Sequence, residues 1–490
     1  MKAGIRARRL FALSLLALPL TGWTQLVLSP SASADPVRRT TTIVSMGDSY
    51  AAGEGSPGPG RTWQDPLCHR SSNSALNLGI NALRAASPFA DPYVQLNVTC
   101  GGAKIDVTDG ASGGILSPQR NFASDPNAER PAQIDQVEQW WNDNQLGIDV
   151  LTIGAGGNDA GFENLVRACG VPWNLDSCDG FMQDDLDAGL AAMRGHWAEL
   201  IKAIQGDGQG GSRRLHAPVR DIYVTIYPDP TSKLVNGQRA YCDRQPLTDP
   251  VMGSVTGRES QWLSTVAVAG MNQVVRDVVN DANHQARDVY PAWHVIEPPD
   301  WSNHGWCAAQ PWTNTYLRSQ SIQGDEWGTA HPNLAGYSAL GSEIQGALYY
   351  LNNGVRDASI RTTISAAHSN LPLQILAPGQ GMPVMQGGPL DYEQFTFHAS
   401  GTTVQVRSER SGKCLVNDPA RPPFEPGAGI VLGDCASPSS RWDARPAPYG
   451  AWVFTRGFRM CWDIWLATTA WSAPLIQYPC HFANNQRWWI

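Results

Sequence analysis

Two apolar segments of this 490-residue chain run directly into glycine and then into a polar side chain. Residues 41–46 are followed by a Gly-Asp pair and then by Ser49. Residues 149–153 are followed by a glycine-rich stretch and then by Asn158. Continuous apolar runs of this length are typical of strands that are buried in a parallel sheet. Because sites in such sheets form at the carboxyl ends of strands, the pattern predicts Ser49 and Asn158 at one edge of the sheet.

Strand and helix patterns alternate up to about residue 370. Further strands are predicted at 93–98, 221–227 and 293–297, and helices at 184–205, 261–285 and 333–350. This alternation predicts an α/β fold in three layers, α/β/α, around a mainly parallel sheet. A chain of this length is too long for one typical domain, so we assign residues 35–370 to this domain and expect a second one.

The composition changes at residues 371–388, which are rich in Pro and Gly and predict a linker. After it, helical periodicity disappears and short segments rich in Trp and Gly follow, so residues 389–490 are predicted to be all-β. Two units there are alike, each with a cysteine pair and a closing tryptophan: Cys414, Cys435 and Trp442, then Cys461, Cys480 and Trp488. Their repeat length is roughly 46 residues.

Three side chains at these positions suit acyl transfer. Ser49 follows a rigid strand, so a turn can expose its hydroxyl as a nucleophile. Asn158 can donate a hydrogen bond to an oxyanion, and the glycines before it let a substrate approach the backbone. His331 precedes the predicted helix at 333–350, where it can serve as a general base.

These residues resemble the sequence blocks of the SGNH, or GDSL, hydrolase family, closest to its secreted actinobacterial branch. Ser49, Asn158 and His331 match three blocks in order, and Gly102, after the predicted strand at 93–98, matches the fourth. The resemblance covers roughly residues 40–365. It implies a catalytic pair of Ser49 and His331, and an oxyanion hole made by the Ser49 and Gly102 backbone N–H groups with the Asn158 side chain. It implies no metal and no organic cofactor.

The position three residues before the histidine departs from the pattern of many members. They carry an aspartate there to orient the imidazole, whereas this chain has Gly328. Some members use a backbone carbonyl instead, so the Gly328 carbonyl is the candidate for holding His331, with Asp325 or Glu326 as alternatives. Asp159 could be a second catalytic carboxylate, or it supports its loop through backbone hydrogen bonds.

The C-terminal units resemble the ricin-type β-trefoil lectin family, over about residues 385–490. The resemblance implies a sugar site built on Asp463 and Tyr478, with Asn485 beside them, and no aspartate in the first unit, where Val416 stands. A trefoil has three repeats, and the first is not recognisable before about residue 402. The alternative is that Tyr478, Trp462 and Trp488 are only core aromatics.

The N-terminus carries a basic stretch, an apolar stretch and small residues before Asp35. This pattern predicts a secretory signal peptide at residues 1–34, cleaved after Ala34. Cleavage would remove four positive charges and take the formal net charge from −8 to about −12. Such an acidic chain argues against nucleic acid or an anionic membrane as the main partner. No later segment is long and apolar enough to span a bilayer, and we expect a monomer.

Ten cysteines in an exported chain suggest five disulfides. Nearest-neighbour pairing is suggested by the spacing, and the first three pairs resemble those of the secreted hydrolase branch: Cys68–Cys100, Cys169–Cys178, Cys242–Cys307, Cys414–Cys435 and Cys461–Cys480.

Together these features favour a secreted serine hydrolase of carboxylic esters, an esterase or lipase whose ester substrate is a lipid or an acylated carbohydrate. Two alternatives stay open. One is a carbohydrate acetyl esterase that the C-terminal domain guides to polysaccharide. The other is a carbohydrate-binding protein whose hydrolase scaffold has lost activity.

Overall fold

The structure, a computed structural model, describes residues 41–86, 93–107, 112–120, 122, 124–170, 177–206, 213–244, 249–285, 291–348, 358–388, 393–400, 403–446, 451–456 and 459–490. The signal peptide predicted at residues 1–34 lies outside this part of the chain. Residues 35–490 cluster as one unit.

The strands of residues 41–348 include a five-stranded sheet in the order β2-β1-β5-β6-β9, with every neighbouring pair parallel. The other four strands form two short antiparallel pairs, β3 with β4 and β7 with β8. In chain order the strands are β1 (Thr41–Gly47), β2 (Tyr93–Asn97), β3 (Gln119–Arg120), β4 (Glu129–Arg130), β5 (Ile148–Gly154), β6 (Val219–Thr225), β7 (Ser232–Val235), β8 (Gln238–Tyr241) and β9 (Ala292–Ile296).

Helices cover both faces of the five-stranded sheet. In chain order, the described helices of this part are α1 (Ser49–Ala52), α2 (Ala75–Ala86), α3 (Gln133–Asn144), α4 (Phe162–Cys169), α5 (Cys178–Phe181), α6 (Gln183–Gln205), α7 (Gly257–Trp262), α8 (Ala269–Gln285), α9 (Tyr316–Gln323) and α10 (Leu334–Leu348). A π-helical segment, Leu263–Val268, joins α7 to α8.

Alternation along the buried strands produces the three layers. Ile43 and Val150 pack against α2 and α10 on one face, whereas Val44 and Leu151 pack against α3, α6 and α8 on the other. Successive side chains of a strand point to opposite faces, so each buried strand contributes to both cores. This part of the chain therefore has the α/β layering that the sequence predicts.

The register between β1 and β5 sets the position of the two polar turns. Gly47 and Gly154, the last residues of the two strands, are paired directly across the ladder. The turns that carry Ser49 and Asn158 therefore leave the sheet side by side, at its carboxyl edge.

Residues 358–490 form a separate antiparallel region in which the described strand pairs are all antiparallel. Its strands are β10 (Ala358–Thr362), β11 (Ser365–Ala366), β12 (Leu373–Ile375), β13 (Val384–Gln386), β14 (Phe395–Ser400), β15 (Thr403–Ser408), β16 (Cys414–Asn417), β17 (Ile430–Gly433), β18 (Arg441–Pro446), β19 (Trp452–Arg456), β20 (Met460–Ile464), β21 (Leu475–Pro479) and β22 (Trp488–Trp489). Trp442, Trp462 and Trp488 are completely buried in its core.

Three hairpins of this region, β12–β13, β16–β17 and β20–β21, bridge one another in every combination. The bridges join Pro383 to Val431, Met385 to Pro474 and Gly429 to Ile476. The hairpins therefore close a three-way arrangement around one core.

The linker predicted at residues 371–388 is wrong as a description of this segment. Leu373 and Val384 are fully buried in the all-β core, and the segment forms the hairpin β12–β13. Its Pro and Gly residues lie in the hairpin loop at 376–383 or flank the two strands, so a composition typical of a linker here belongs to the loop and ends of a hairpin. The antiparallel region therefore begins before residue 389.

Within the described ranges, no helix is long and apolar enough to cross a membrane.

Candidate active site

The turn that carries Ser49 is shaped by its neighbours. Gly47 has a φ of +149°, and a Cβ there would lie 2.3 Å from the Gly154 carbonyl oxygen, so only glycine fits between β1 and β5. Asp48 then caps α1 through a 3.0 Å hydrogen bond from the Tyr50 N–H to its carboxylate. Ser49 is the first residue of that helix, above the carboxyl edge of the sheet.

His331 reaches Ser49 across 282 residues of sequence. Its Nε2 lies 2.7 Å from the Ser49 Oγ, and its Nδ1 lies 3.0 Å from the Thr329 carbonyl oxygen. Because a carbonyl only accepts, Nδ1 carries the proton and Nε2 is free to accept the Ser49 hydroxyl proton. Tyr50 packs beside the imidazole, with the ring centroids 4.7 Å apart.

The carbonyl that holds the imidazole is that of Thr329, so the expectation for Gly328 is corrected. The Gly328 carbonyl accepts the backbone N–H of His331 at 3.1 Å. Ala330 adopts a φ of +63°, and this left-handed turn brings the carbonyl two residues before His331 against the ring instead. A Cβ at Gly328 would lie 2.8 Å from the Gly55 Cα, so no aspartate fits there.

The two alternative carboxylates are engaged elsewhere. Asp325 accepts the Trp327 N–H at 2.9 Å, and Glu326 pairs with Arg167 at 3.3 Å. Neither has a described hydrogen bond to the His331 ring. Both belong to the loop that precedes His331, and their bonds to Trp327 and Arg167 stabilise that loop.

Three hydrogen-bond donors line the same cleft as Ser49. Among the described residues, the backbone N–H groups of Ser49 and Gly102 have no protein acceptor. The space above Gly102 is open, since a Cβ there would contact only the Gln119 amide nitrogen, at 3.8 Å. The Asn158 amide donates one N–H to the Ala103 carbonyl at 2.9 Å and keeps its second N–H for a ligand.

The contacts of Asp159 favour a residue that supports its loop over a second catalytic carboxylate. Its carboxylate accepts the Ile105 N–H at 3.0 Å and lies 2.7 Å from Nδ1 of His196. The hydrogen bond to Asp159 raises the pKa of His196 above its ordinary value. Asp159 therefore connects the Asn158 loop to the segment after Gly102.

Tyr227 links the two halves of the site, a role that no sequence motif indicates. Its hydroxyl donates to the Asp48 carboxylate at 2.6 Å and accepts the Gly157 N–H at 2.8 Å. It thus joins the residue before Ser49 to the residue before Asn158. Its place at the end of a predicted strand was a usable signal, because parallel strands end at this edge.

Asp48 is a buried carboxyl next to the candidate nucleophile. Burial raises the pKa of Asp48 to about 7, although hydrogen bonds from Tyr227 and Tyr50 act in the opposite direction. Burial and the charge of Asp48 both raise the pKa of Tyr227, so Tyr227 keeps its proton and remains a donor.

The cleft around Ser49 has a volume of about 590 Å³. One part of its lining is apolar and includes Phe162, Val166, Val251 and Trp327. Another part is polar and includes His69, which lies 3.0 Å from the buried carboxylate of Glu54. A cleft of this size that is lined by both apolar and polar side chains suits a small amphipathic ligand.

The cysteines pair as the sequence analysis expects: Cys68–Cys100, Cys169–Cys178, Cys242–Cys307, Cys414–Cys435 and Cys461–Cys480. The first pair ties the loop before Gly102 to the segment after the Ser49 helix. It therefore restrains one side of the cleft.

The candidate sugar-binding residues lie together in the all-β region. Asp463 is buried, and its carboxylate accepts the side-chain amides of Asn485 at 2.9 Å and Gln486 at 2.6 Å. Tyr478 is 43 % exposed, whereas Trp462 and Trp488 are core residues. Asp463 thus supports the Asn485 turn, and Tyr478 is the exposed aromatic of this group.

No protein-family model matches the chain, and the comparison with curated proteins found no match. Among solved structures, an extracellular lipase from Streptomyces rimosus is 17 % identical with a TM-score of 0.41, over 63 % of this chain and 99 % of that one. A family two carbohydrate esterase from Clostridium thermocellum is 13 % identical with a TM-score of 0.31, over 63 % of each chain. A designed 3-fold symmetric protein, ThreeFoil, is 22 % identical with a TM-score of 0.25, over 26 % of this chain and 95 % of that one. Likenesses at this level assign no activity, so the chemistry rests on the geometry of the site.

Proposed function

We propose that this protein is a secreted hydrolase of carboxylic esters that uses Ser49 as nucleophile and His331 as general base. The observation that carries the proposal is the 2.7 Å contact between the His331 Nε2 and the Ser49 Oγ. It occurs in a cleft that also holds three hydrogen-bond donors without a full set of protein acceptors. The alternative of an inactive scaffold gives no reason for this arrangement.

The mechanism follows from the positions of the groups. His331 takes the Ser49 hydroxyl proton as the oxygen attacks the ester carbonyl carbon. The N–H groups of Ser49, Gly102 and Asn158 stabilise the negative charge on the carbonyl oxygen. His331 gives its proton to the departing alcohol, which leaves an acyl-enzyme. Water, deprotonated by His331, then releases the acid and restores Ser49.

The Thr329 carbonyl performs one of the two tasks of a triad aspartate. It fixes the imidazole tautomer through the 3.0 Å bond to Nδ1. Because it has no full negative charge, it stabilises the imidazolium less than a carboxylate would. The chain therefore uses a Ser-His pair rather than a Ser-His-Asp triad.

The lining of the cleft supports an ester with an apolar acyl group. Phe162, Val166 and Trp327 provide apolar surface for that group, and polar lining residues such as His69 provide hydrogen-bonding groups for the alcohol. We propose a lipid or an acylated carbohydrate as the substrate class. For the all-β region we propose a β-trefoil, with Asp463, Tyr478 and Asn485 as its sugar-site residues.

Hydrolysis of p-nitrophenyl acetate, butyrate and palmitate by the purified chain from residue 35 onward tests the proposal. We expect turnover of these esters without added metal or organic cofactor. No turnover of any of the three by correctly folded protein would contradict it. The ratio of the three rates then reports how much of the apolar lining the acyl chain uses.

The pH profile of this hydrolysis should report His331. Burial lowers the pKa of His331 below its ordinary value of 6.5, with the charge of Glu54 and the Thr329 carbonyl acting in the opposite direction. Only the neutral imidazole accepts the Ser49 proton, so kcat/KM should fall as the pH drops through the lowered pKa. We expect the half-maximal point on the acid side to lie below pH 6.5.

The Asp48→Asn variant controls this assignment, because Asp48 also titrates near neutral pH. If His331 causes the acid limb, the limb persists in this variant. A half-maximal point above pH 6.5, or a limb that disappears in Asp48→Asn, would contradict the assignment.

Asp325→Ala should lower kcat by less than about tenfold, whereas disabling the orienting aspartate of a full triad lowers it about 10⁴-fold. The reason is that the Thr329 carbonyl, not Asp325, holds the imidazole. Steady-state kinetics with p-nitrophenyl butyrate measure the effect, with Glu326→Ala as a neighbouring control. A loss in Asp325→Ala as large as that in His331→Ala would show that the carboxylate orients the ring.

A further inference from the structure

The loop between β20 and β21 presents large apolar side chains to solvent. Leu466 is 80 % exposed, Trp471 66 % and Trp465 44 %. Phe424, 44 % exposed, lies on the loop between β16 and β17, where a Cβ at Gly427 would be 3.4 Å from the Trp465 ring. These four side chains, Phe424, Trp465, Leu466 and Trp471, are here named the apolar loop surface.

Buried hydrogen bonds hold the backbone of this loop in place. The fully buried Gln386 donates its side-chain N–H groups to the carbonyls of Thr468 at 3.2 Å and Ala470 at 2.9 Å. Its backbone N–H donates to the Ala473 carbonyl at 2.7 Å, and its backbone carbonyl accepts the Ser472 N–H at 2.8 Å. A buried residue with two side-chain and two backbone bonds of this kind fixes the course of the loop, so the exposure of its apolar side chains is part of the fold.

The segment that contains the loop carries no fixed charge. Between Asp463 and Arg487 the sequence has no Asp, Glu, Lys or Arg, although such residues make up 16 % of the chain. On the neighbouring loop, Glu425 pairs with Arg421 at 3.4 Å. An uncharged tip avoids the cost of bringing ions into hydrocarbon.

The residue types favour lipid over sugar as the ligand of the apolar loop surface. Tryptophan and leucine on an uncharged tip are the side chains that enter the boundary between lipid headgroups and acyl chains. A pyranose needs a flat aromatic face with polar groups around it, and Leu466, the most exposed of the four, offers neither. The formal net charge is −8 for the whole chain and about −12 from residue 35 onward, so a neutral or zwitterionic lipid surface is a better match than an anionic one.

We propose that the apolar loop surface docks this protein onto a neutral or zwitterionic lipid–water interface. Docking places the enzyme at the surface where water-insoluble esters are available. It requires no chemistry at Ser49, so it can be measured separately from the proposed hydrolysis.

Co-sedimentation with vesicles of ether-linked phosphatidylcholine, which has no acyl ester to cleave, tests the docking. The chain from residue 35 onward should bind, and the double variant Leu466→Ser/Trp471→Ser should lower the partition coefficient by about tenfold or more. A matched control is Leu234→Ser/Val235→Ser in the β7–β8 hairpin, where the two side chains are 40 % and 49 % exposed. We expect the control to bind as the parent does.

The double variant Leu466→Ser/Trp471→Ser should keep the thermal unfolding temperature of the parent, because both substituted side chains are mostly exposed to solvent. If the double variant does not fold, Leu466→Ser alone provides the test, with a smaller expected decrease. Ser49→Ala should sediment with the vesicles as the parent does, so a failed catalytic proposal leaves this result intact.

Three results would overturn the docking proposal. The first is a parent protein that stays in solution at every lipid concentration, and the second is equal sedimentation of parent and double variant. The third is a double variant that keeps vesicle binding and loses binding to insoluble xylan or cellulose, or loses self-association. That result would make the surface a polysaccharide site or a contact between copies.

Discussion

Ser49→Ala is expected to lower kcat for p-nitrophenyl butyrate by about 10⁴-fold or more. The hydroxyl is the group that forms the acyl-enzyme, and alanine cannot replace it. Residual turnover would come from the oxyanion donors and from binding alone. His331→Ala should cause a loss of similar size, and the double variant should be little worse than either single one, because the two residues act as one unit. Steady-state kinetics on purified variants give these values.

Ser56→Ala is the matched control for this prediction. Ser56 is also a buried serine on the segment after β1, but its hydroxyl has no described hydrogen-bond partner. Its alanine variant should therefore keep the activity of the parent. Full activity in Ser49→Ala, or an equal loss in both variants, would remove Ser49 from the role of nucleophile.

Asn158→Ala is expected to lower kcat by about 10²–10³-fold with little change in KM. The hydrogen bond from the second N–H of the Asn158 amide becomes stronger as negative charge grows on the substrate's carbonyl oxygen. Its loss therefore destabilises the transition state more than the bound substrate. Steady-state kinetics that separate kcat from KM measure the effect.

The Asn158 amide also ties its loop to the Ala103 carbonyl, so a structural effect must be distinguished from a catalytic one. Asn144→Ala removes a comparable amide-to-carbonyl bond, 2.8 Å to Trp140, away from the cleft. It should leave kcat unchanged. If Asn158→Ala raises KM and lowers the unfolding temperature while kcat stays near that of the parent, the amide has only a structural role.

Much of the α/β region could be predicted from the sequence because its signals are local. The buried run at 41–46 matches β1, Thr41–Gly47, and the run at 149–153 matches β5, Ile148–Gly154. The predicted helix at 184–205 matches α6, Gln183–Gln205, within one residue. Apolar continuity and helical periodicity depend on each segment alone, so they can be recognised without knowing which other segments pack against it.

The details that were mispredicted or missed from the sequence depend on backbone geometry or on contacts between distant residues. The choice of the Thr329 carbonyl over that of Gly328 follows from the left-handed turn at Ala330, a conformation that no sequence pattern here signals. The link from Tyr227 to Asp48 spans 179 residues and depends on the registers of three strands, β1 with β5 and β5 with β6. Such contacts become visible only when the sheet is assembled.

In the all-β region, the first hairpin was missed for a different reason. Its two later units carry cysteine pairs, whereas the hairpin of residues 373–386 has none, so its composition alone predicts a linker. Burial of Leu373 and Val384 gives that hairpin its place in the core. A repeat that keeps the apolar contacts but lacks cysteine and tryptophan has no motif by which to recognise it.

Covalent labelling of the native protein with a p-nitrophenyl alkylphosphonate tests the central claim most directly. A serine made nucleophilic by an adjacent imidazole displaces p-nitrophenolate from phosphorus and keeps the phosphonyl group. We expect one adduct per chain by intact mass spectrometry, located on the peptide that contains Ser49. We expect no adduct in Ser49→Ala and much slower labelling in His331→Ala. An adduct that forms equally fast in Ser49→Ala, or that maps to another residue, would contradict it.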